Sequence, residues 1–486
     1  MISHGGSVET VPNDLVYLMI GRAAPLDFFR KSGIPIVGEW SAAKVLTFLA
    51  FLLFCLWLYP AKSGKVPDEF AGGIGAWINA PPKALDQWLA PNVSAKQGHG
   101  APTPDHRVAA VWRRSENRAV LVPSDSKEAM ESTSPYYINT SFGGVLAESA
   151  KSIGFWYSLA YCVLVAVFGW KRYQKRRTPY VKLQTISLAA IQIVPLFLLP
   201  YAVLPYLGLH EMLPRTFLDW FFPEVNYGHG REYWRAFGFV LAWPLFFFNW
   251  LTSAPLLPWL ILGAIQTFVL IPGLVYFFGK GAYCGWICSC GALAETLGDA
   301  HRQKMPHGPV WNRLNMAGQA ILALAAALMV WRVAGWLAPK GSWIETTMPI
   351  FSIVEKANYW VVDAGLAGIV GVGFYFWYSG RVWCRFFCPL AALMHIYARF
   401  SQFRILADKK KCISCNACTS ICHQGIDVMA FANKGKPMND PECVRCSACV
   451  STCPTGTLQF GRVGANGEVI SSEILAGNLL RIAGRE

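Results

Sequence analysis

Long apolar runs alternate with short basic ones along most of this chain. Residues 43–59 form the first run able to cross a bilayer and 153–170 the second; about 20 apolar residues suffice for a spanning helix. Between them, residues 60–150 are polar and rich in Pro, Gly and Ser, which predicts a small extramembrane region. The second run ends in KRYQKRR, five bases in seven residues, and such a bias marks the cytoplasmic side. Region 60–150 is therefore expected outside the cytoplasm, with the N-terminal segment 1–42 inside.

Three apolar stretches follow, near 184–207, 236–252 and 258–279. The next stretch, GKGAYCGWICSCGALAETLGDAHRQK, carries Lys280, Arg302 and Lys304 and reads as cytoplasmic. An even number of crossings must join two cytoplasmic points, so one of the three stretches does not cross. Pro195, Pro200 and Pro205 interrupt 184–207 and make it the expected exception, because proline removes a helical hydrogen bond. Two further spans, 315–337 and 358–379, make a hairpin. About 6–7 apolar segments predict a polytopic α-helical membrane protein.

Composition agrees. The chain is 54% hydrophobic and 15% charged, against about a quarter charged in soluble domains. Its net charge of +14 lies beside the apolar runs, which is membrane topology and predicts no nucleic-acid partner. The first 40 residues lack a cleavable signal pattern and a twin-arginine motif. Cys55 and Cys162 stand alone in apolar spans and read as small buried hydrophobes, whereas thirteen cysteines fall between Cys284 and Cys453. Region 60–150 has none, which excludes a disulfide framework outside the cell.

Two post-span stretches match each other. YCGWICSCGAL begins at Tyr283 and WCRFFCPLAAL at Trp383, an offset of 100 residues throughout. This internal repeat brings Cys284 and Cys288 to the depth of Cys384 and Cys388. Four such thiols could pair as disulfides, hold a metal or cluster, or pack reduced; tetrahedral sulfur suits zinc, Cu(I) or iron–sulfur. Cys290 stands outside the repeat, as a packing residue or a spare ligand.

The most specific pattern is C-terminal. KCISCNACTSICH supplies Cys412, Cys415, Cys418 and Cys422, and ECVRCSACVSTCP supplies Cys443, Cys446, Cys449 and Cys453. Three close cysteines wrap one cubane and the fourth ligates the other. Cys412, Cys415, Cys418 and Cys453 are thus expected on one [4Fe–4S] cluster, and Cys443, Cys446, Cys449 and Cys422 on the second. His423 replaces the usual proline, either as a donor near a cluster sulfur or as a surface residue. No covalent haem motif occurs: Cys418-x3-Cys422-His423 has the wrong spacing. The sequons at Asn92 and Asn139 carry little meaning in a bacterial chain.

A membrane hairpin with two Cys-x3-Cys motifs and a double cluster run resembles the NosR/NapH/CcoG-like membrane ferredoxin family, over about residues 231–462. CRFFCP fits the family's Cys-x3-Cys-Pro, while the first motif has Ser289 in the proline position. The resemblance implies an electron-transfer protein of the bacterial inner membrane, with quinone or quinol and a partner redox enzyme as its reactants. Region 60–150 is short and lacks a covalent flavin attachment motif, so no covalent flavin is expected.

The expected organisation is an N-terminal segment 1–42, a span 43–59, an extracytoplasmic region 60–150 and a first bundle 151–279. Then come a cysteine segment 280–314, a hairpin 315–379 and a second cysteine segment 380–406. An α+β two-cluster ferredoxin domain, 407–462, lies on the cytoplasmic side, and a tail 463–486 follows, with SSEILAGNLLRIA as an amphipathic helix. The leading function is quinol dehydrogenation, with electrons passing through both clusters. Candidate reactive residues are Cys284, Cys288, Cys384 and Cys388, with His395 and Tyr397 as quinol contacts or as an interfacial pair. Region 60–150 would dock an extracytoplasmic partner. Two alternatives stand: an assembly factor that reduces copper or another metal, and a relay or anchor subunit of a larger respiratory complex.

Overall fold

The computed structural model describes residues 2–4, 7–9, 31–32, 42–62, 108–113, 118–123, 136–138, 141–225, 229–246, 250, 255–375, 377–464 and 466–473. Most of the expected N-terminal segment, much of 60–150, both sequons and residues 474–486 of the tail lie outside these. The chain divides into two compact units, 1–47 and 48–486. In the first, strands β1 (Ile2–His4) and β2 (Ser7–Glu9) pair antiparallel. Helix α1 (Ala42–Lys62) contains the first apolar run. In the second unit, β3 (Val108–Arg113) pairs antiparallel with both β4 (Arg118–Pro123) and β5 (Tyr136–Ile138).

Four helices are long and apolar enough to cross a membrane among the described residues. They are α2 (Ile153–Arg176), α3 (Pro179–Leu209), α4 (Leu257–Phe278) and α6 (Pro309–Leu337), with α5 (Ser289–Glu295) short between the last two. Ser152 caps α2 by accepting from Phe155 N, and Thr178 caps α3 from Val181 N, with Pro179 in the first turn. Leu164 and Trp170 on α2, Phe268 to Leu270 on α4 and Leu324 and Val330 on α6 are exposed. Each would cost about 1.5–3 kcal/mol to keep in water rather than buried. Lipid removes that cost, so this is a membrane protein.

The stretch expected not to cross lies in a helix long and apolar enough to do so. Residues 184–207 lie within α3, whose segment Val194–Val203 widens into a π-helix; local π adjustment accommodates prolines in membrane helices. In the 236–252 stretch, the described residues 236–246 instead carry the end of a 3-10 element, Tyr233–Phe239, followed by a turn. Gly238 there lies so close to Trp259 that a Cβ would come within 2.6 Å of the indole ring. Gln266 Nε2 donates to the Gly238 and Phe239 carbonyls, at 3.0 and 2.9 Å, and Tyr283 Oη donates to Val240 O. Irregular backbone persists at membrane depth only where protein satisfies it. A further helical run joins Ile350–Asn358 to the π-helical Tyr359–Gly373, here α7, and α8 (Pro389–Ala398) follows the second cysteine motif.

The C-terminal domain is a three-stranded antiparallel sheet in the order β6 (Phe403–Ala407), β7 (Leu458–Val463), β8 (Val469–Glu473). Short helices Ala417–Ser420, Val428–Lys434 and Ala448–Thr452 complete it. Strand β6 begins upstream of residue 407, and β8 takes the first three residues of the stretch expected as an amphipathic helix. Phe403, Ile405 and Phe460 share one core with Tyr180 and Val181 at the start of α3. Tyr180 Oη donates to Arg445 O and accepts from Trp286 Nε1. The domain is therefore seated directly on the membrane helices.

Candidate functional site

Eight cysteines of the C-terminal domain fall around two cavities. Cys412, Cys415, Cys418 and Cys453 line one, and Cys422, Cys443, Cys446 and Cys449 line the other. Local backbone explains this. Ser414 and Asn416 in the first run, and Arg445 and Ser447 in the second, all have φ between 50° and 61°. Left-handed residues between cysteines turn successive amides inward, and such nests favour anionic groups, including iron–sulfur sites. The residues present fit a cubane in each cavity.

The repeated motifs adopt repeated geometry. Cys288 N donates to Tyr283 O and Cys388 N to Trp383 O, each at 2.9 Å. These wide turns end in cysteines that precede α5 and α8. Cys284, Cys288, Cys384 and Cys388 all lie buried in one apolar core. Cys284 Sγ is 4.0 Å from Met394 Sδ, and Cys388 Sγ accepts from Ala391 N at 3.4 Å. Hydrogen bonding from Cys290, with the Cys290 and Gly291 amides, brings the Cys288 thiol down to about 7. Among the described residues, the trio of candidate ligand atoms within 4.8 Å of one another is Glu295, His423 and Cys446. The four motif thiols are thus more widely spread than a single-ion tetrahedron, where zinc–sulfur bonds of about 2.3 Å set sulfurs about 3.8 Å apart.

Between this thiol core and the ferredoxin domain lies a charge cluster absent from the sequence expectations. Glu295 accepts from Arg172 at 3.1 Å and from Arg302 and Arg381 at 2.5 Å each. Arg302 Nη1 contacts the His423 ring, and Arg302 Nε and Arg176 Nη2 bind Asp299. Burial alone would raise the Glu295 carboxyl, but Arg302, Arg381, His423 and Arg172 hold it well below the ordinary range. Burial, reinforced by Arg302, keeps His423 well below the usual imidazole value. His423 is fully buried, which corrects its reading as a surface residue. An acid inside the apolar stretch GALAETL was the available signal for Glu295, since ionisable residues at membrane depth are costly and need partners.

A second ion pair fixes the ferredoxin domain. Lys280 Nζ and His395 Nδ1 reach the two oxygens of Glu442 at 2.5 and 2.6 Å. Burial opposes ionisation of Glu442, yet Lys280 and His395 bring it down to about 2. Gly281 packs flush on Val444, where a Cβ would meet the carbonyl oxygen at 2.3 Å. His395 is thus committed to Glu442, and Tyr397 Oη donates to Thr267 O at 3.3 Å. Cys55 and Cys162 are buried, and Cys162 packs in an apolar cluster with its thiol donating to Gln192 O at 3.4 Å.

Comparisons with known proteins match this geometry. A family profile described as a 4Fe-4S dicluster domain matches residues 404–454. One described as a 4Fe-4S binding domain matches 258–306 and 364–407, which contain the two Cys-x3-Cys motifs. The regulatory protein NosR of Stutzerimonas stutzeri is 26% identical over 159 residues, covering 30% of this chain and 20% of that protein. NosR of Pseudomonas aeruginosa is 28% identical over 196 residues, 39% of this chain and 24% of its own length. The methylamine utilization ferredoxin-type protein MauN of Methylobacillus flagellatus is 25% identical over 156 residues, 32% and 52% respectively. The matched region thus spans between a fifth and about half of these relatives. No solved structure matches the chain. The protein is a membrane protein with a 4Fe–4S dicluster domain, and over the matched region it is similar to the NosR-like membrane ferredoxins.

Proposed function

We propose that this protein oxidises a membrane quinol and passes the electrons, through the four-cysteine core and then two [4Fe–4S] clusters, to a partner redox enzyme. Cys412, Cys415, Cys418 and Cys453 hold one cluster; Cys443, Cys446, Cys449 and Cys422 hold the other. The contact of Gly281 with Val444 carries the reading. Val444 lies between two ligands of the second cluster, and Gly281 lies three residues before Cys284. No solvent layer or linker separates the thiol core from that cluster.

The orientation rests on α2. Its basic end carries Arg172 and Arg176, which pair with Glu295 and Asp299 beside the ferredoxin domain. A basic helix end faces the cytoplasm, so this domain is cytoplasmic and the membrane is the bacterial inner membrane. The extramembrane sheet of β3, β4 and β5 then lies on the opposite side, available to an extracytoplasmic partner.

Anaerobic protein, mixed with menadiol and followed by the iron–sulfur EPR signal, tests the reading. Reduction by the quinol supports it. Reduction by dithionite alone puts the clusters at potentials too low for quinol and sinks it. Cys384→Ser with Cys388→Ser should block reduction by quinol while leaving reduction by dithionite. Copper retained at the four-cysteine core would instead favour metal reduction during assembly of another enzyme.

A further inference from the structure

A cavity of about 250 Å³ lies among α2, α3, α5 and α7, against the thiol core. Leu196, Phe237 and Leu241 make apolar walls, while Tyr157, Ser158, Tyr161, Tyr201, Ser289 and Tyr375 bring hydroxyl-bearing side chains to it. Cys290 and Trp383, adjacent in sequence to Ser289 and to Cys384, complete its floor.

Several of these groups are already fixed. Tyr161 Oη donates toward Gln192 Oε1 at 2.8 Å and Ser289 O at 2.9 Å, and Gln192 Nε2 donates to Ile287 O. Tyr375 Oη donates to Cys290 O at 3.2 Å. Two others are not: Ser289 Oγ and Trp383 Nε1 are buried and make no hydrogen bond. A buried polar atom without a partner costs about 1–3 kcal/mol, so a ligand oxygen at either atom is favoured.

Depth adds a second constraint. Tyr161 lies eleven residues before Arg172, which binds Glu295, and at 1.5 Å per residue this places the cavity about 16 Å further into the membrane. A ligand there must come from lipid, be largely apolar and carry polar atoms at one end. Beside the cysteines of the proposed electron path, a lipophilic ring with paired oxygens meets all three conditions.

We infer that this cavity is the quinol site of the proposed reaction, with Ser289 Oγ and Trp383 Nε1 as its ring-oxygen partners and Tyr161 held in place by Gln192. The inference rests on the quinol reading above and adds to it the location of the substrate. One quinol losing two electrons and two protons becomes the quinone. The two electrons reduce the two [4Fe–4S] clusters by one each, and the protons pass to water. Serine where the second motif has Pro389 then has a role: a proline there would supply no hydroxyl.

A second cavity of about 180 Å³ shares Cys290 and Trp383 but is otherwise lined by other residues, Ala325 and Leu328 among them. It serves as the control. Menadione binding to the detergent-solubilised, cluster-loaded protein is measured by isothermal titration, and menadiol reduction of the clusters by EPR. Ser289→Ala is expected to weaken menadione binding about tenfold, the loss of one hydrogen bond. Leu293→Trp, which fills the first cavity, should abolish it, and Ala325→Leu in the second should leave it unchanged. Retained cluster EPR under dithionite shows that each variant has folded.

Wild-type binding in both cavity variants, or equal loss in Ala325→Leu, overturns the assignment, as does absence of menadione binding to the wild type. Binding that follows this order while menadiol fails to reduce the wild-type clusters keeps the site and rejects the quinol-oxidising reading instead.

Discussion

Arg381 Nη2 donates to Glu295 Oε1 at 2.5 Å, while its Nη1 lies 3.2 Å from Cys284 O and 3.7 Å from Cys384 Sγ. One guanidinium therefore touches both repeated motifs and a carboxylate that also lies within 4.8 Å of Cys446 and His423. The planar fork of arginine suits this bridging, and lysine would not reproduce it. The thiol core and the second cluster share one buried electrostatic environment.

Removing the Glu295 charge leaves Arg172, Arg302 and Arg381 without their common anion. Breaking a buried ion pair from one side costs about 3–5 kcal/mol, so Glu295→Ala is expected to lower thermal stability and expression sharply. Glu295→Gln retains the shape, and loss of a negative charge near Cys446 should make the potential of that cluster more positive. Redox titration by EPR checks this; an unchanged potential would separate Glu295 from the cluster.

The docking of Gly281 on Val444 gives a steric test. A methyl group here meets backbone, which cannot turn aside, and overpacking costs about 1–3 kcal/mol. Gly281→Ala is expected to lift the ferredoxin domain from the Cys284 segment. Quinol-driven reduction should slow at least about tenfold, while direct reduction by dithionite keeps its rate. Stopped-flow absorbance reports both, and equal slowing of the two would point to damage within the clusters.

The two cluster runs and the repeat were legible because short-range spacing dictates them. Cysteines two and three residues apart must share a loop, and the shared Tyr283 and Trp383 turns follow from the same local pattern. The proline-bearing stretch 184–207 was misread because proline content is a local signal, whereas a π-helical stretch and the side chain of Gln266 are tertiary remedies. Glu295, Arg302 and Arg381 stayed hidden for a related reason. Their 86-residue separation from Glu295 to Arg381 and the reach to His423 are contacts of the folded chain alone.

His229 provides a pH dependence on the opposite side of the helices. Its Nε2 lies 2.8 Å from Ser149 Oγ, and Nδ1 is buried without a partner. Burial lowers its pKa from the ordinary 6.5 to about 4, with Glu148 opposing and Lys151 assisting. The unfolded chain thus binds a proton in a range where the native chain does not. The stabilisation is complete above pH 6.5, falls as pH drops towards 4 and then levels off. Its size is about 3 kcal/mol. Hydrogen exchange in Phe142–Ala150 should accelerate at pH 5 relative to pH 7 after correction for intrinsic rates, and His229→Gln should remove that difference.

Ligand crossing makes the last outcome specific. Cys422 follows the first run in sequence yet lines the cavity of Cys443, Cys446 and Cys449, and Cys453 lines the cavity of the first three. Cys422→Ser should therefore deplete the same cluster as Cys446→Ser, and Cys453→Ser the same one as Cys412→Ser. Each variant should lose up to about four irons and the magnetic coupling between clusters. The potentials identify which cluster remains. The Glu295→Gln shift should persist in Cys412→Ser protein, where the cluster beside Glu295 survives, and vanish in Cys446→Ser protein. Pairing of Cys422→Ser with Cys412→Ser instead would mean that each run holds its own cluster.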